Sequence, residues 1–178
     1  MYKVIIGVVI AAAVLIIGFM MIDPKVNTNQ QTNNGQVTDQ SGSAYTIEGE
    51  VNKPGTYMLS DNVTMRDLIN AGGGVTSNVD ELAYFENATL TAGSTYYIAS
   101  KFDATDVCNN NPIVKVNINS DPADTLTSVN GITSSIASSI VSYRQSNGVF
   151  NTLEQLMEVY GIGNATYRKI RNYVTLHA

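Results

Sequence analysis

The sequence has little of the chemistry that enzymes and metalloproteins commonly use. It contains one cysteine and one histidine in 178 residues. A single cysteine excludes an internal disulfide framework and any cysteine-rich metal site, and the single histidine, His177, argues against a histidine-based catalytic dyad. No nucleophile is paired with a base, and no spacing is typical of metal ligands. We therefore predict that the chain is not an enzyme and that it has no metal site and no cofactor.

Positive charge is also scarce, but it is unevenly distributed. The formal net charge is −5, a sign that is unfavourable for binding DNA. From Pro112 to Ala178, however, five basic side chains outnumber four acidic ones, so the excess of acidic residues belongs to the preceding part of the chain. The overall acidity therefore does not exclude nucleic acid as a partner of the C-terminal part.

A long apolar run lies near the start of the sequence. Val4–Ile22 contains no charged residue and, as a helix, would cover roughly 28 Å, about the hydrocarbon thickness of a bilayer. A cleaved signal peptide is the alternative, but its apolar core is about 7–15 residues long, and this run ends in the bulky residues Phe19–Met21. We therefore predict a transmembrane anchor at residues 1–22. Lys3 and the amino terminus favour a cytoplasmic N-terminus, with the bulk of the chain outside the cell membrane.

Two polar segments are predicted to be linkers. Residues 23–43 are rich in asparagine, glutamine, threonine and serine, a composition typical of a disordered tether with a reach of about 25 Å. Residues 102–112 form the second linker and contain Cys108. In an oxidising exterior this cysteine could pair with another chain or remain an unpaired bystander, and the sequence leaves both alternatives open.

Residues 44–101 carry the patterns of three strands and one helix. Apolar and polar residues alternate, and a proline–glycine turn, a capping box and a glycine triplet follow. These signals predict a small α+β domain. Its expected elements are the strand Tyr45–Val51, the turn Pro54–Gly55, the strand Tyr57–Leu59, a helix with Thr64 and Asp67 as its capping box, the helix end at Gly72–Gly74 and the strand Tyr96–Ile98.

Two motifs in this segment carry a family resemblance. The run GEVNKPGTY from Gly49 to Tyr57, followed by AGGGV from Ala71 to Val75, resembles the soluble-ligand-binding β-grasp (SLBB) domain. The resemblance implies a β-grasp fold in an extracytoplasmic protein that binds polysaccharide or another ligand, or that self-associates. The alternative is that Pro54–Gly55 is an ordinary hairpin turn, which would suit any β-rich protein.

Two later stretches, thirty residues apart, repeat one pattern. Each copy reads as the end of a short helix, a glycine-bearing hairpin and the start of a second helix. Unpaired backbone N–H groups at a helix N-terminus form a site for phosphate. A tandem pair in a chain without a catalytic constellation therefore indicates nucleic-acid binding. The recurring residues are Leu126, Val129, Gly131, Ile132, Ile140 and Tyr143, then Leu156, Val159, Gly161, Ile162, Ile170 and Tyr173.

The residues around the hairpins predict an all-α domain at residues 113–178. Ser120 is expected to be the N-cap of the first helix, which would run to about Val129. The second helix has a serine face and should end at Asn147–Gly148. The third and fourth helices are expected to bury Leu153, Leu156 and Met157, and Tyr167, Ile170 and Val174, respectively.

These residues resemble a helix-hairpin-helix pair. Together with VNINS at Val116–Ser120 and YRQSNGVF at Tyr143–Phe150, they resemble the C-terminal domain of the ComEA family of competence proteins. That family comprises membrane-anchored DNA receptors, and its Gram-positive members have an SLBB-like domain between anchor and DNA-binding domain.

The family resemblance implies a receptor that binds double-stranded DNA without sequence specificity, for uptake during natural transformation. It also implies DNA-uptake channel proteins as partners, and residues 44–101 are a candidate surface for a homo-oligomer. The DNA-binding residues that it implies are Gly131, Thr133, Ser134, Ser135, Arg144, Gly161, Gly163, Asn164, Ala165, Arg168, Lys169 and Arg171.

The two hairpins depart from the family pattern to different degrees. The first has Asn130 where proline is common and Thr133 where a second glycine is usual, and a β-branched residue would be strained there if the position required a positive φ. The second keeps both glycines but has Ala165 where lysine is frequent. We therefore expect the second unit to supply most of the positive charge and the serine face of the first to make neutral contacts.

Other interpretations of these residues remain open. Glycine-bearing hairpins also join helices that only pack together. Arg144 could interact with the C-terminus of its own helix, and Tyr143 and Tyr173 fit core positions. A rival function is a cell-surface protein whose SLBB-like domain binds glycan, with the helical domain as a module for binding partner proteins.

Overall fold

The computed structural model describes residues 42–60, 62–103 and 112–178. The predicted anchor, Cys108 and most of both predicted linkers lie outside these ranges. Among the described residues, no helix is long and apolar enough to cross a membrane.

Three strands form the sheet that the alternating sequence predicted. β1 (Ser43–Gly49), β2 (Gly55–Leu59) and β3 (Thr95–Ile98) are arranged in the order β2-β1-β3. β1 is antiparallel to β2 and parallel to β3. Tyr45 and Ile47 are buried on the inner face, as the period-two alternation requires.

The helix of this segment begins at the predicted capping box. In α1 (Met65–Ala71), the backbone N–H of Thr64 donates to Asp67 Oδ2 at 3.0 Å, and the N–H of Asp67 donates to Thr64 Oγ1 at 3.4 Å. The hydrogen bonds from Thr64 hold the pKa of Asp67 below its ordinary value. The helix ends at Gly72, so both predicted ends are confirmed. A short 3₁₀ helix at Glu81–Ala83 follows, which the sequence did not indicate.

The C-terminal segment contains helices and one small sheet. Its elements are β4 (Val116–Asn117), α2 (Ala123–Leu126), α3 (Ser134–Asn147), a 3₁₀ helix (Leu153–Glu158), α4 (Asn164–Ile170) and β5 (Val174–Thr175). β4 and β5 pair in parallel. The expectation of an all-α segment was therefore wrong in this detail, while the mixed α+β class of the chain is confirmed. Val174 is buried from a strand rather than from the last helix, because the β-branched Val116 and Val174 pair across the small sheet.

Ser120 does not cap the first helix of this segment. The Oδ1 atom of Asn117 accepts from the N–H groups of Asn119 and Ser120, and Asp121 Oδ2 accepts from the N–H of Asn117. These local bonds hold the chain in a turn until Pro122, so α2 starts later and is shorter than expected.

The predicted third helix is a 3₁₀ helix, and this changes which of its residues are buried. A 3₁₀ helix has 3.0 residues per turn, so positions i and i+3 share a face. Leu153 and Leu156 are accordingly buried, together with Val159 just beyond the helix. Met157 is 39% exposed rather than inward-facing.

Contacts join the sheet segment (residues 42–60 and 62–103) to the helical segment (residues 112–178). All described residues belong to one compact unit. Lys115 Nζ lies 2.5 Å from Asp80 Oδ2, with both side chains largely buried. Burial lowers the pKa of Lys115 although Asp80 opposes the shift. The rings of His177 and Phe85 stack with centroids 4.8 Å apart. The helical segment therefore packs directly on the sheet segment.

Candidate nucleic-acid interface

The two repeats build two hairpins from the same buried framework. In each hairpin, the isoleucine after the glycine donates its N–H to a valine carbonyl, at 2.9 Å in the first and 3.0 Å in the second. The recurring apolar residues are all buried, which confirms the repeat as a structural unit. They are Leu126, Val129, Ile132 and Ile140 in the first copy, and Leu156, Val159, Ile162 and Ile170 in the second.

The first glycine of each hairpin is required by its conformation and by close packing. Gly131 has φ +117° and Gly161 has φ +92°, in the left-handed region that favours glycine. A Cβ atom on Gly131 would lie 3.0 Å from Cγ2 of Ile170, and one on Gly161 would lie 3.2 Å from Cγ1 of Ile136. Each hairpin therefore packs on the helix of the other repeat, and the glycines serve this crossed packing.

The residue before each following helix differs between the hairpins. Thr133 has φ −77°, so it carries none of the strain that a positive φ would impose. Its Oγ1 accepts from the N–H of Ile136 at 3.3 Å and caps α3. Gly163 has φ −96° and provides no side-chain cap to α4. The first turn of α4 therefore keeps more unpaired N–H groups than that of α3.

The predicted polar contacts of both hairpins lie on the surface. Ser134 and Ser135 are exposed at the first turn of α3, and Asn164 and Ala165 are exposed at the first turn of α4. Further along α3, Ser138 Oγ donates to the carbonyl of Ser134 at 2.9 Å. Part of the serine face is thus occupied by bonds to its own helix.

The two exposed cations of α4 are the strongest candidates for phosphate contact. Arg168 and Lys169 are both exposed. The side chain of Lys169 crosses toward the first hairpin, since a Cβ on Gly131 would lie 3.2 Å from its Cδ. The hairpin that lacks its own cation therefore lies beside a lysine from the other repeat.

The other two predicted arginines are engaged within the protein. Arg144 donates from Nη1 to the carbonyl of Ile118 and from Nη2 to that of Asp121, both at 2.8 Å. The guanidinium carbon of Arg171 lies 3.4 Å from the ring centroid of Tyr97. The structure thus leaves Arg168 and Lys169 exposed on α4, with Lys169 beside the first hairpin, and turns Arg144 and Arg171 toward other parts of the fold.

A buried polar cluster behind α4 was not anticipated from the sequence. Glu154 Oε1 accepts from the N–H of Tyr97 at 2.8 Å and from the hydroxyl of Tyr167 at 2.7 Å. Burial raises the pKa of Glu154, with the hydrogen bonds opposing the shift, and the Oε2 atom is buried without a partner. No local pattern signals this cluster, because its members come from distant parts of the sequence.

The recurring tyrosines have unequal surroundings. Tyr143 stacks on Phe150 with centroids 4.7 Å apart and donates its hydroxyl to Glu158 at 2.6 Å. This hydrogen bond, with burial, raises the pKa of Tyr143 to about 12. Tyr173 is 42% exposed. Tyr160, which precedes Gly161, is 85% exposed and was not singled out from the sequence.

Within residues 42–60, 62–103 and 112–178, no cluster of three or more His, Cys, Asp or Glu could hold a metal ion.

Two parts of the described chain match models of known protein families. Residues 111–175 match the family model of the helix-hairpin-helix motif, and residues 44–93 match that of the SLBB domain. ComE operon protein 1 of Bacillus subtilis is 29% identical over 158 residues, which are 83% of this chain and 75% of that protein. An uncharacterized protein of Haemophilus influenzae is 44% identical over 61 residues, 34% of this chain and about half (54%) of that protein.

Proposed function

We propose that this chain, a ComEA-like protein with an SLBB domain and a helix-hairpin-helix motif, binds double-stranded DNA through its phosphates without sequence specificity. The observation that carries the proposal is the tandem hairpin surface, matched by the helix-hairpin-helix model, with Arg168 and Lys169 exposed on α4. No catalytic step forms part of the proposal.

The chemistry of this surface suits a DNA backbone better than base edges. Its groups are backbone N–H, serine hydroxyls and two cations, all of which recognise phosphate oxygens. Contacts of this kind carry no sequence information and release counterions, so affinity falls with salt. Lys169 supports a shared arrangement, since its side chain comes from the second repeat and lies beside Gly131 of the first.

The family resemblance extends the proposal to the cell. The apolar run at residues 4–22 would anchor the chain in the cell membrane, with the bulk outside, and the bound DNA would pass to uptake channel proteins during transformation. Self-association through residues 44–101 would present several DNA-binding surfaces together, and avidity would compensate for weak individual sites.

A salt series with the full chain tests the DNA-binding function. Unrelated duplexes should bind with equal affinity, and the slope of log affinity against log salt should be negative. Lys169→Ala should weaken binding to all duplexes and reduce the magnitude of this slope by about one. Lys53→Ala is the matched control, because it removes the same charge from the exposed turn between β1 and β2. Ser135→Ala should lower affinity with the slope unchanged.

Two outcomes of the salt series would contradict the proposal. Absent or salt-independent binding of the wild-type chain would exclude a phosphate-directed interface. Equal slopes for the Lys169→Ala and Lys53→Ala chains would exclude Lys169 as a charged contact to DNA.

A second candidate function is a cell-surface protein that binds glycan. It is favoured by a cleft of about 790 Å³ between the sheet and helical segments, lined largely by amide and hydroxyl side chains. Asn87, Thr91, Ser94 and Gln155 are among them. Binding of neutral oligosaccharides by a chain that fails to bind duplex DNA would favour this alternative.

A further inference from the structure

One edge of the three-stranded sheet packs against the helices of the second repeat. β3 contacts the 3₁₀ helix Leu153–Glu158, and Glu154 links the two by accepting from the Tyr97 N–H at 2.8 Å. The same Glu154 oxygen accepts from the Tyr167 hydroxyl at 2.7 Å. Because Tyr167 lies on α4, one carboxylate connects the sheet to the helix that carries the exposed cations.

Arg171 makes the second connection between α4 and the sheet. Its guanidinium carbon lies 3.4 Å from the centroid of the Tyr97 ring, within the range in which a cation is attracted to an aromatic face. Nη1 also lies 3.7 Å from Glu48 Oε2, and the Arg171 side chain is 22% exposed. Arg171 directly follows α4, and its positive charge therefore faces the sheet, whereas Arg168 and Lys169 on α4 are exposed.

These two connections flank the cation that reaches the first hairpin. Lys169 lies between Tyr167 and Arg171 in the sequence, and its stem packs beside Gly131. Rotation or release of α4 would therefore move Lys169 away from that hairpin.

We propose that Arg171 and Tyr97 are positioning residues: the cation–ring contact fixes α4 on the sheet and thereby sets where Lys169 meets DNA. The inference rests on the proposed DNA-binding function and gives the three-stranded sheet, which contains Tyr97, a role in setting DNA affinity without a contact of its own to DNA. Arg171 accordingly acts through Tyr97 rather than through a phosphate.

Substitutions on both sides of the contact test the inference in the full chain. Arg171→Lys keeps the charge but loses the planar group, and Tyr97→Leu fills the volume but offers no aromatic face. Each should lower duplex affinity by about threefold or more and reduce the magnitude of the salt slope, because Lys169 is displaced although neither substitution removes a positive charge. The double variant should be no weaker than the weaker single variant, since both remove one contact. Thermal unfolding establishes that each variant is folded at the assay temperature. Arg168→Ala on α4 is the control for direct loss of an exposed cation and should also reduce the magnitude of the salt slope.

The possible outcomes separate the two proposals. Wild-type affinity in Arg171→Lys, together with a reduced slope in Arg171→Ala, would identify Arg171 as a direct phosphate contact and overturn the positioning role. Wild-type affinity in both Arg171→Lys and Tyr97→Leu would also overturn it. A wild-type chain that binds no duplex would instead contradict the DNA-binding function itself.

Discussion

The hairpin at Gly131 leads into a helix capped by Thr133, whereas the hairpin at Gly161 leads into a helix whose N-cap, Gly163, has no side chain. No cationic residue lies in the first turns of α3, after the first hairpin, whereas α4, after the second hairpin, contains Arg168 and Lys169. Yet the Lys169 stem packs beside Gly131. The two copies are therefore complementary parts of one surface rather than two independent hairpins.

The repeats also differ behind the hairpins. Glu154 of the second repeat is buried against Tyr97 and Tyr167. The residue at the equivalent position of the first repeat, Asp124, is exposed. The second repeat is thus attached to the sheet by a buried carboxylate, and the first has no counterpart to this contact at that position.

Replacing the first glycine of either hairpin should change the free energy of unfolding most. Gly131→Ala and Gly161→Ala should each lower the free energy of unfolding by about 1–3 kcal/mol, because alanine would be strained at a positive φ. Gly131→Ala should cost more, since its Cβ would approach Ile170 to 3.0 Å. Gly163→Ala is the control, because φ there is −96° and no atom lies within 4 Å of the added Cβ. Urea denaturation measures all three, and a Gly163→Ala loss as large as the others would contradict the assignment.

A smaller effect is expected from Glu154, the buried carboxylate whose equivalent in the first repeat, Asp124, is exposed. Because burial raises the pKa of Glu154 above its ordinary value of 4.5, the folded protein retains a proton in a pH window above 4.5 where the unfolded chain has lost it. Stability from this group is therefore highest on the acid side of the window and falls as the pH rises through it. Glu154→Gln should remove this fall. Gln can keep the acceptor for Tyr97 and Tyr167 through its amide oxygen, but it does not titrate.

Denaturant titrations from pH 4.5 to pH 8 measure the contribution of Glu154. Asp124→Asn is the matched control, because it makes the same change at the exposed, equivalent position of the first repeat. Identical pH profiles of the wild-type and Glu154→Gln chains would show that Glu154 has no raised pKa.

Exchanging the N-cap residues of α3 and α4 should change the free energy of unfolding least. Gly163→Thr should raise the free energy of unfolding by about 0.5 kcal/mol, because threonine can adopt the extended conformation found at Gly163 and reduces the freedom of the unfolded chain. Thr133→Gly should lower it by a similar amount as the bond to Ile136 is lost. Thermal unfolding measures the pair. Destabilisation by Gly163→Thr would mean that the two N-caps are not interchangeable.

Local signals predicted much of the fold and of the hairpins. The capping box at Thr64 and Asp67, the strand alternation at Tyr45 and Ile47, and the buried residues of both repeats depend on neighbours in sequence, and each is found as expected. The errors arose where another local geometry competed. α2 begins later than predicted because Asn117 holds the preceding residues in a turn. Met157 is exposed because its helix has the 3₁₀ period rather than the α-helical one.

The candidate DNA contacts were only partly predictable for a different reason. The sequence indicates which residues are cationic, but it does not indicate which of them lie against another element. Arg168 and Arg171 have the same charge and lie three residues apart at the end of α4, yet Arg168 is exposed and Arg171 lies on the Tyr97 ring.

Periodicity and backbone conformation over a few residues are enough to identify, from the sequence alone, the repeat, its glycines, the α+β class and the candidate residues for binding phosphate. Tertiary packing, in contrast, brings Lys169 to the first hairpin, turns Arg171 toward the sheet and buries Glu154 beneath α4, and none of these could be read from the sequence. The physical reason is that packing joins residues far apart in sequence, and burial then fixes the environment of each charge.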